Sequence, residues 1–171
     1  MTRRPLFRAL AAISLLPIAA LSSAATAPHV SIASVDNLRQ PLPIPYDEQA
    51  NADKQVAAAK ARAKAEGKKL IIDLGGNWCL DCRVLAGILE LPEVKPFVRQ
   101  HYVVVSVDIG RYDKNAQIAK PFGITKLDGV PALLIVDPRT GKLVNKDHLF
   151  ALADARHMTP QALADWLAQW A

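Results

Sequence analysis

The chain has 171 residues, 51% of them hydrophobic, with 21 Lys and Arg against 16 Asp and Glu and only two cysteines. That length suits one domain with its own core, and neither repeats nor low-complexity runs divide it. The net charge of +5 owes much to the first residues, so it does not supply the concentrated basic face that nucleic-acid binding requires.

Residues 1–27 read as an export signal. Arg3, Arg4 and Arg8 form a basic start, residues 9–21 are a short apolar stretch, and Ala25-Thr26-Ala27 offers a small-residue cleavage site. An apolar stretch this short, interrupted by Pro17, does not span a bilayer, so no membrane insertion is expected after cleavage. The paired arginines also resemble a twin-arginine signal, but the short basic region favours Sec export. Cleavage near Ala27 would leave a periplasmic protein of charge +2.

Residues 28–46 carry Pro28, Pro41, Pro43 and Pro45 without periodicity and are expected to form an extended, partly mobile lead-in, with residues 30–35 as a candidate edge strand. The domain proper then occupies residues 47–171. Ala52, Val56, Ala59 and Ala63 fall at helical spacing and Gly67 ends that helix; its stripe of small residues predicts light packing. Residues 70–74 are the first strand, broken by Gly75-Gly76-Asn77. A helix follows from about Cys79, with Leu80, Val84, Leu85, Ile88 and Leu89 as its buried face and Pro92 as its stop. Residues 93–99 continue as a short helix.

The β-branched run 102–107 predicts a strand buried on both faces. Residues 114–122 predict a short helix ended by Gly123, and 132–136 a third buried strand. The turn Pro138-Arg139-Thr140-Gly141 leads to an expected fourth strand around 142–145. Thr159 caps the last helix with Pro160 at its first position, and Leu163, Trp166, Leu167 and Trp170 form its core stripe. The pattern is an α/β sandwich closed by a hairpin and a helix.

The chemistry centres on Trp78-Cys79-Leu80-Asp81-Cys82. A cross-link over so short a loop restrains the unfolded chain little, whereas sulfurs this close exchange readily. Cys-X-X-Cys between a strand and a helix is a general redox signature. At the helix mouth, unpaired N–H groups favour a thiolate, which makes Cys79 the nucleophile and Cys82 the resolving thiol. Asp81 opposes that thiolate, with Arg83 partly offsetting it, so the pair should lean towards a reductant. Asp73 is a lone acid in an apolar strand; buried, it would titrate near neutral pH and accept the proton of Cys82. Pro131, just before a core strand, suits a cis bond or a sharp entry.

His101, His148 and His157 show no ligand spacing, which argues against zinc; a Cu(I) clip on two thiolates is the rival from another class. No phosphate loop, nucleophile elbow or dinucleotide fingerprint is present, and no organic cofactor is expected.

An aspartate five residues before Trp-Cys-X-X-Cys, then Phe122-Gly123-Ile124, then Gly129-Val130-Pro131 before an apolar strand, resembles the thioredoxin family, nearest to its exported bacterial members. The resemblance runs from about Lys69 to Ala171. It implies a thioredoxin-like fold, a central mixed sheet flanked by helices. It also maps Cys79 and Cys82 to the redox pair, Asp73 to the buried acid, Trp78 to the surface aromatic and Pro131 to the cis-proline. Val130 would offer backbone hydrogen bonds to a bound polypeptide.

The chain departs from thioredoxins in its Leu80-Asp81 dipeptide, where Gly-Pro is usual, and in Val104, where a lysine usually neighbours the buried acid. It also has a longer loop at 125–128 and the added 47–67 helix. The expectation is a periplasmic thiol–disulfide oxidoreductase that reduces protein disulfides and is recharged by a membrane-bound thiol donor. The alternatives are an oxidase or isomerase on the same fold, or a Cu(I) metallochaperone.

Overall fold

A computed structural model describes residues 25–171, so the leader assigned to residues 1–27 lies almost wholly outside the described residues. Helix α1 (Ala52–Glu66) starts where the Asn51 side chain accepts from Lys54 N, and Gly67 ends it in the left-handed region at φ 67°. Strand β1 (Lys69–Gly75) follows, then α2 (Leu80–Leu89), α3 (Val94–His101), β2 (Tyr102–Asp108), β3 (Ala132–Val136) and α4 (Pro160–Gln169). The sheet order is β2-β1-β3, with β1 parallel to β2 and antiparallel to β3.

Alternation along β1 divides the core. Leu70, Ile72 and Leu74 pack with the alanine face of α1, and Ile71 packs with Val84, Leu85, Ile88, Leu163 and Leu167 from α2 and α4. This mixed sheet between helix layers is the thioredoxin-like fold expected from the sequence, and it puts the C-terminal end of β1 at the N-terminus of α2.

Four local expectations fail, each for a visible reason. Strand β2 lies at a sheet edge, so Val104, Val105 and Ser106 are only half-buried rather than covered on both faces. The 114–122 helix is two 3-10 turns, Ala116–Ile118 and Lys120–Phe122; Asn115 takes φ 55°, and Pro121 cannot donate to a continuing helix. The fourth strand shrinks to one bridge, Val136 to Leu143. Beyond it the Asn145 side chain stands in for a strand: its Oδ1 accepts from Ile135 N and its Nδ2 donates to Leu133 O, both at 2.8 Å. Leu80 is 45% exposed, not part of the buried face of α2. In α4, Leu163 and Leu167 are fully buried, while Trp166 and Trp170 pack half-buried against the same core.

The lead-in is the larger correction. It forms no strand, only the 3-10 turn Val35–Asn37, yet Val30, Val35, Leu38, Leu42 and Tyr46 are all buried. Gln161 of α4 accepts from Val30 N at 2.9 Å and donates to Pro28 O at 3.1 Å, and Glu93 accepts from both Ser31 N and its hydroxyl at 2.8 Å. Irregular spacing of these apolar residues hides their burial from any periodicity test. Truncating Leu38 to Ala should therefore cost about 2–4 kcal/mol in urea unfolding, the range for a buried leucine. A loss close to zero would restore the loose lead-in.

Candidate active site

Cys79 is the N-cap of α2, its Sγ accepting from Cys82 N at 3.1 Å, and it is joined to Cys82 in a disulfide with a Cα–Cα distance of 5.3 Å. The pair is asymmetric. Cys79 keeps 5% exposure and Cys82 none. Cys79 Sγ also lies 3.6 Å from Val130 O, on the cis Val130–Pro131 bond that leads into β3. A thiol can donate to that carbonyl, whereas a thiolate would be repelled by it.

In front of Cys79 a depression of about 390 Å³ opens between Trp78, Leu80, Tyr112, Val130 and Arg156. Trp78 is 40% exposed; its Nε1 donates to Gly110 O at 2.6 Å and the Arg111 guanidinium lies 4.6 Å from its ring centroid. Trp78, Leu80 and Val130 thus border the depression beside the outer sulfur, and Pro131 follows Val130 in the chain.

Asp81 does not face solvent, and Arg83 does not offset it. Its carboxylate is 3% exposed and is gripped by Arg156 from the turn Ala155–His157: Nε donates at 2.9 and 3.1 Å, the backbone N–H at 2.9 Å, and Nη2 donates as well. Burial works against the charge, but the bonds and charge of Arg156 outweigh it and hold the carboxyl below its ordinary range. Arg83 instead donates to Leu42 O and Pro43 O, fastening the lead-in to α2.

Behind the disulfide sits Asp73, 3% exposed and opposite Ser106 in the β1–β2 register. The position that a lysine usually fills, Val104, contributes no charge. The Tyr46 hydroxyl instead lies 2.9 and 3.0 Å from the two carboxylate oxygens, and Ser106 Oγ donates at 3.3 Å. Burial drives the Asp73 carboxyl up to about 7, against the two hydrogen bonds, which pull the other way.

Sequence reasoning missed Tyr46, Ser106 and Arg156. A lone tyrosine after Pro45 was the only hint of the first. Arg156 lies in an irregular stretch that carries no pattern. Among the described residues, no group of three His, Cys, Asp or Glu is placed to hold a metal.

The profile of the thioredoxin-like family matches residues 51–138. The crystal structure of a disulphide isomerase from Xylella fastidiosa Temecula1 shares 35% identity at a TM-score of 0.69, covering 74% of this chain and 96% of that one. A mutant thioredoxin from Halobacterium salinarum NRC-1 aligns far more loosely, at 19% identity and a TM-score of 0.36 over 68% of this chain and 96% of that one. A search of the curated proteins finds no match. The chain belongs to the thioredoxin-like family. It is a thiol–disulfide oxidoreductase with Cys79 and Cys82 as its Cys-X-X-Cys pair.

The raised carboxyl makes stability depend on pH. Between about pH 4 and pH 7 the folded protein holds a proton on Asp73 that the unfolded chain has released, so this group's contribution falls as pH rises through that window and levels off above it. The whole effect is on the order of 4 kcal/mol. Asp73→Asn keeps the shape and removes the charge, so it should lose this slope and exceed the wild type in stability above pH 7. Parallel stability curves between pH 4 and 8 would contradict the assignment.

Proposed function

We propose that this oxidoreductase works in the periplasm from its dithiol form, opening disulfides in protein substrates and releasing them reduced or rearranged. The observation that carries the reading is the asymmetry of the pair: one sulfur borders an open depression, and the other is sealed beside an acid that titrates near neutrality. Cys79 as thiolate attacks a substrate sulfur, forms a mixed disulfide and expels the first substrate thiolate. Cys82 then gives up its proton to the buried acid and attacks Cys79, which releases the second substrate thiolate and leaves the Cys79–Cys82 disulfide. The two electrons come from the dithiol. A thiol donor in the membrane is the proposed source of their replacement.

Direction rests on how well the Cys79 thiolate is held. A strong oxidant stabilises its thiolate; here Val130 O faces the sulfur and Cys82 N–H supplies one hydrogen bond. Asp81 adds little against the thiolate while Arg156 balances it. The carbonyl, more than Asp81, tilts the pair towards reduction. The 35%-identical neighbour named as a disulphide isomerase supports the same side, because isomerase and reductase share the opening attack. A Cu(I) clip would use both sulfurs and leave the buried acid without a task.

Cys82→Ser should accumulate substrates bonded through Cys79, and Cys79→Ser should trap none; absence of any trapped species would end the enzyme reading. Equilibration of the pair with glutathione should give a potential more negative than about −180 mV, whereas about −120 mV, the level of a strong oxidant, would overturn the direction. Asp81→Ala leaves the Arg156 cation unpaired beside the site, so the potential should become less negative, and no shift would show that the pair is electrically silent.

A further inference from the structure

The lead-in, which sequence alone marks as a loose approach to the domain, ends on a buried phenol that contacts Asp73 and borders the same glycine as the inner sulfur. Tyr46 is 3% exposed and spans both oxygens of Asp73. Its backbone is clamped to the loop that delivers the cysteines: Tyr46 N donates to Asn77 Oδ1 at 3.1 Å, and Asn77 Nδ2 donates to Tyr46 O at 2.8 Å. Asp73 and Gly75 lie two apart on β1, so they share one face of the sheet.

A Cβ placed on Gly75 would lie 2.4 Å from Tyr46 Oη and 2.8 Å from Cys82 Sγ. Phenol oxygen and inner sulfur therefore both border the space over a residue that has no side chain to fill it. The side-chain oxygens of Asp73 accept from Tyr46 and Ser106, while Cys82, bonded to Cys79, has no S–H to donate in this form.

We infer that the Tyr46 hydroxyl relays the proton between Cys82 and Asp73, which makes a residue of the lead-in part of the exchange chemistry. The inference rests on the thiol–disulfide reading above. In the resolving step the Cys82 S–H bond breaks and its proton passes to Tyr46 Oη as the phenolic proton passes to the Asp73 carboxylate. The electron pair left on Cys82 forms the bond to Cys79, and the pair of the broken Cys79–substrate bond leaves on the substrate sulfur. Burial pushes the phenol far up, so Tyr46 does not wait as a phenolate; it can only take one proton while giving another.

Other charges face this chain of groups. Asp108, bridged to Lys114 at 3.2 Å, weighs on the phenol. On the far side of Asp73 and Ser106 a cavity of about 520 Å³ carries Arg62, Glu90, Lys95 and Arg99, and runs out to Ile44, 69% exposed. Asp73 and Ser106 both line that cavity.

The test is a single turnover of the reduced full chain with a chromogenic aromatic disulfide, in which attack and resolution each release one coloured thiolate. Tyr46→Phe should slow the second phase at least tenfold and the first less than twofold, and should remove the inflection near pH 7 from the second phase. The double variant Asp73→Asn/Tyr46→Phe should be no slower than Asp73→Asn alone. A second phase within twofold of wild type at every pH, equal slowing of both phases, or additive losses in the double variant would each overturn the relay.

In mixtures of H2O and D2O the wild-type second phase should follow a bowed curve, two protons moving together. A straight line, one proton, would overturn the relay even if Tyr46→Phe failed to fold. No coloured thiolate from the wild type would instead sink the oxidoreductase reading on which the relay depends.

Discussion

A single carboxylate buried behind the disulfide organises this molecule. Asp73 sits in a strand otherwise made of leucine and isoleucine, on the face that receives α2, and burial holds its proton near neutrality. An unpaired charge there is costly, and hydrogen bonds without a neighbouring cation leave the carboxyl holding its proton up to near neutrality. Val104 supplies no charge, and the two hydroxyls of Tyr46 and Ser106 supply those hydrogen bonds. The lead-in, held down by its apolar contacts, also brings a phenol to the acid. Its last residue before the domain is the phenol that covers the acid.

The outer side of the site is governed by the opposite arrangement. Asp81 is also sheltered, but it has Arg156, and so it stays charged and structural. That pair ties the first turn of α2 to the segment before α4. It fixes the helix mouth on which Cys79 sits while cancelling most of the field that Asp81 would exert alone. Two acids lie eight residues apart: burial without a cation keeps one titratable, and a cation that outweighs burial keeps the other ionised. Their different partners, not their sequence positions, decide what each does.

Much of the frame was legible because it follows periodicities. The Ala-rich helix with Gly67 at its end, the apolar run before the cysteines, the capped helix from Thr159 and the 132–136 strand all carry local signals that agree with their tertiary setting. The redox pair, the acid before it and the proline beside it were legible because their spacing resembles a known family. Side chains that replace backbone leave no such trace. Asn145 acts as a strand for β3, and that role comes from one amide meeting two backbone groups across ten and twelve residues. Tyr46 and Arg156 reach the site from irregular segments, across 27 and 75 residues, so neither helical nor strand spacing points to them. The failed strand at 142–145 and the half-exposed β2 share one cause: whether a strand is central or at an edge depends on its neighbours, which a β-branched run does not reveal.

The titration of the Asp73 carboxyl itself tests the central claim most directly. In the disulfide form, the carboxyl carbon of Asp73, followed by NMR in protein labelled with carbon-13 at aspartate and assigned by Asp73→Asn, should titrate at about 7. A midpoint near 4, the value of a solvated aspartate, would contradict the account, because the acid behind Cys82 would then be too weak a base to receive its proton at neutral pH.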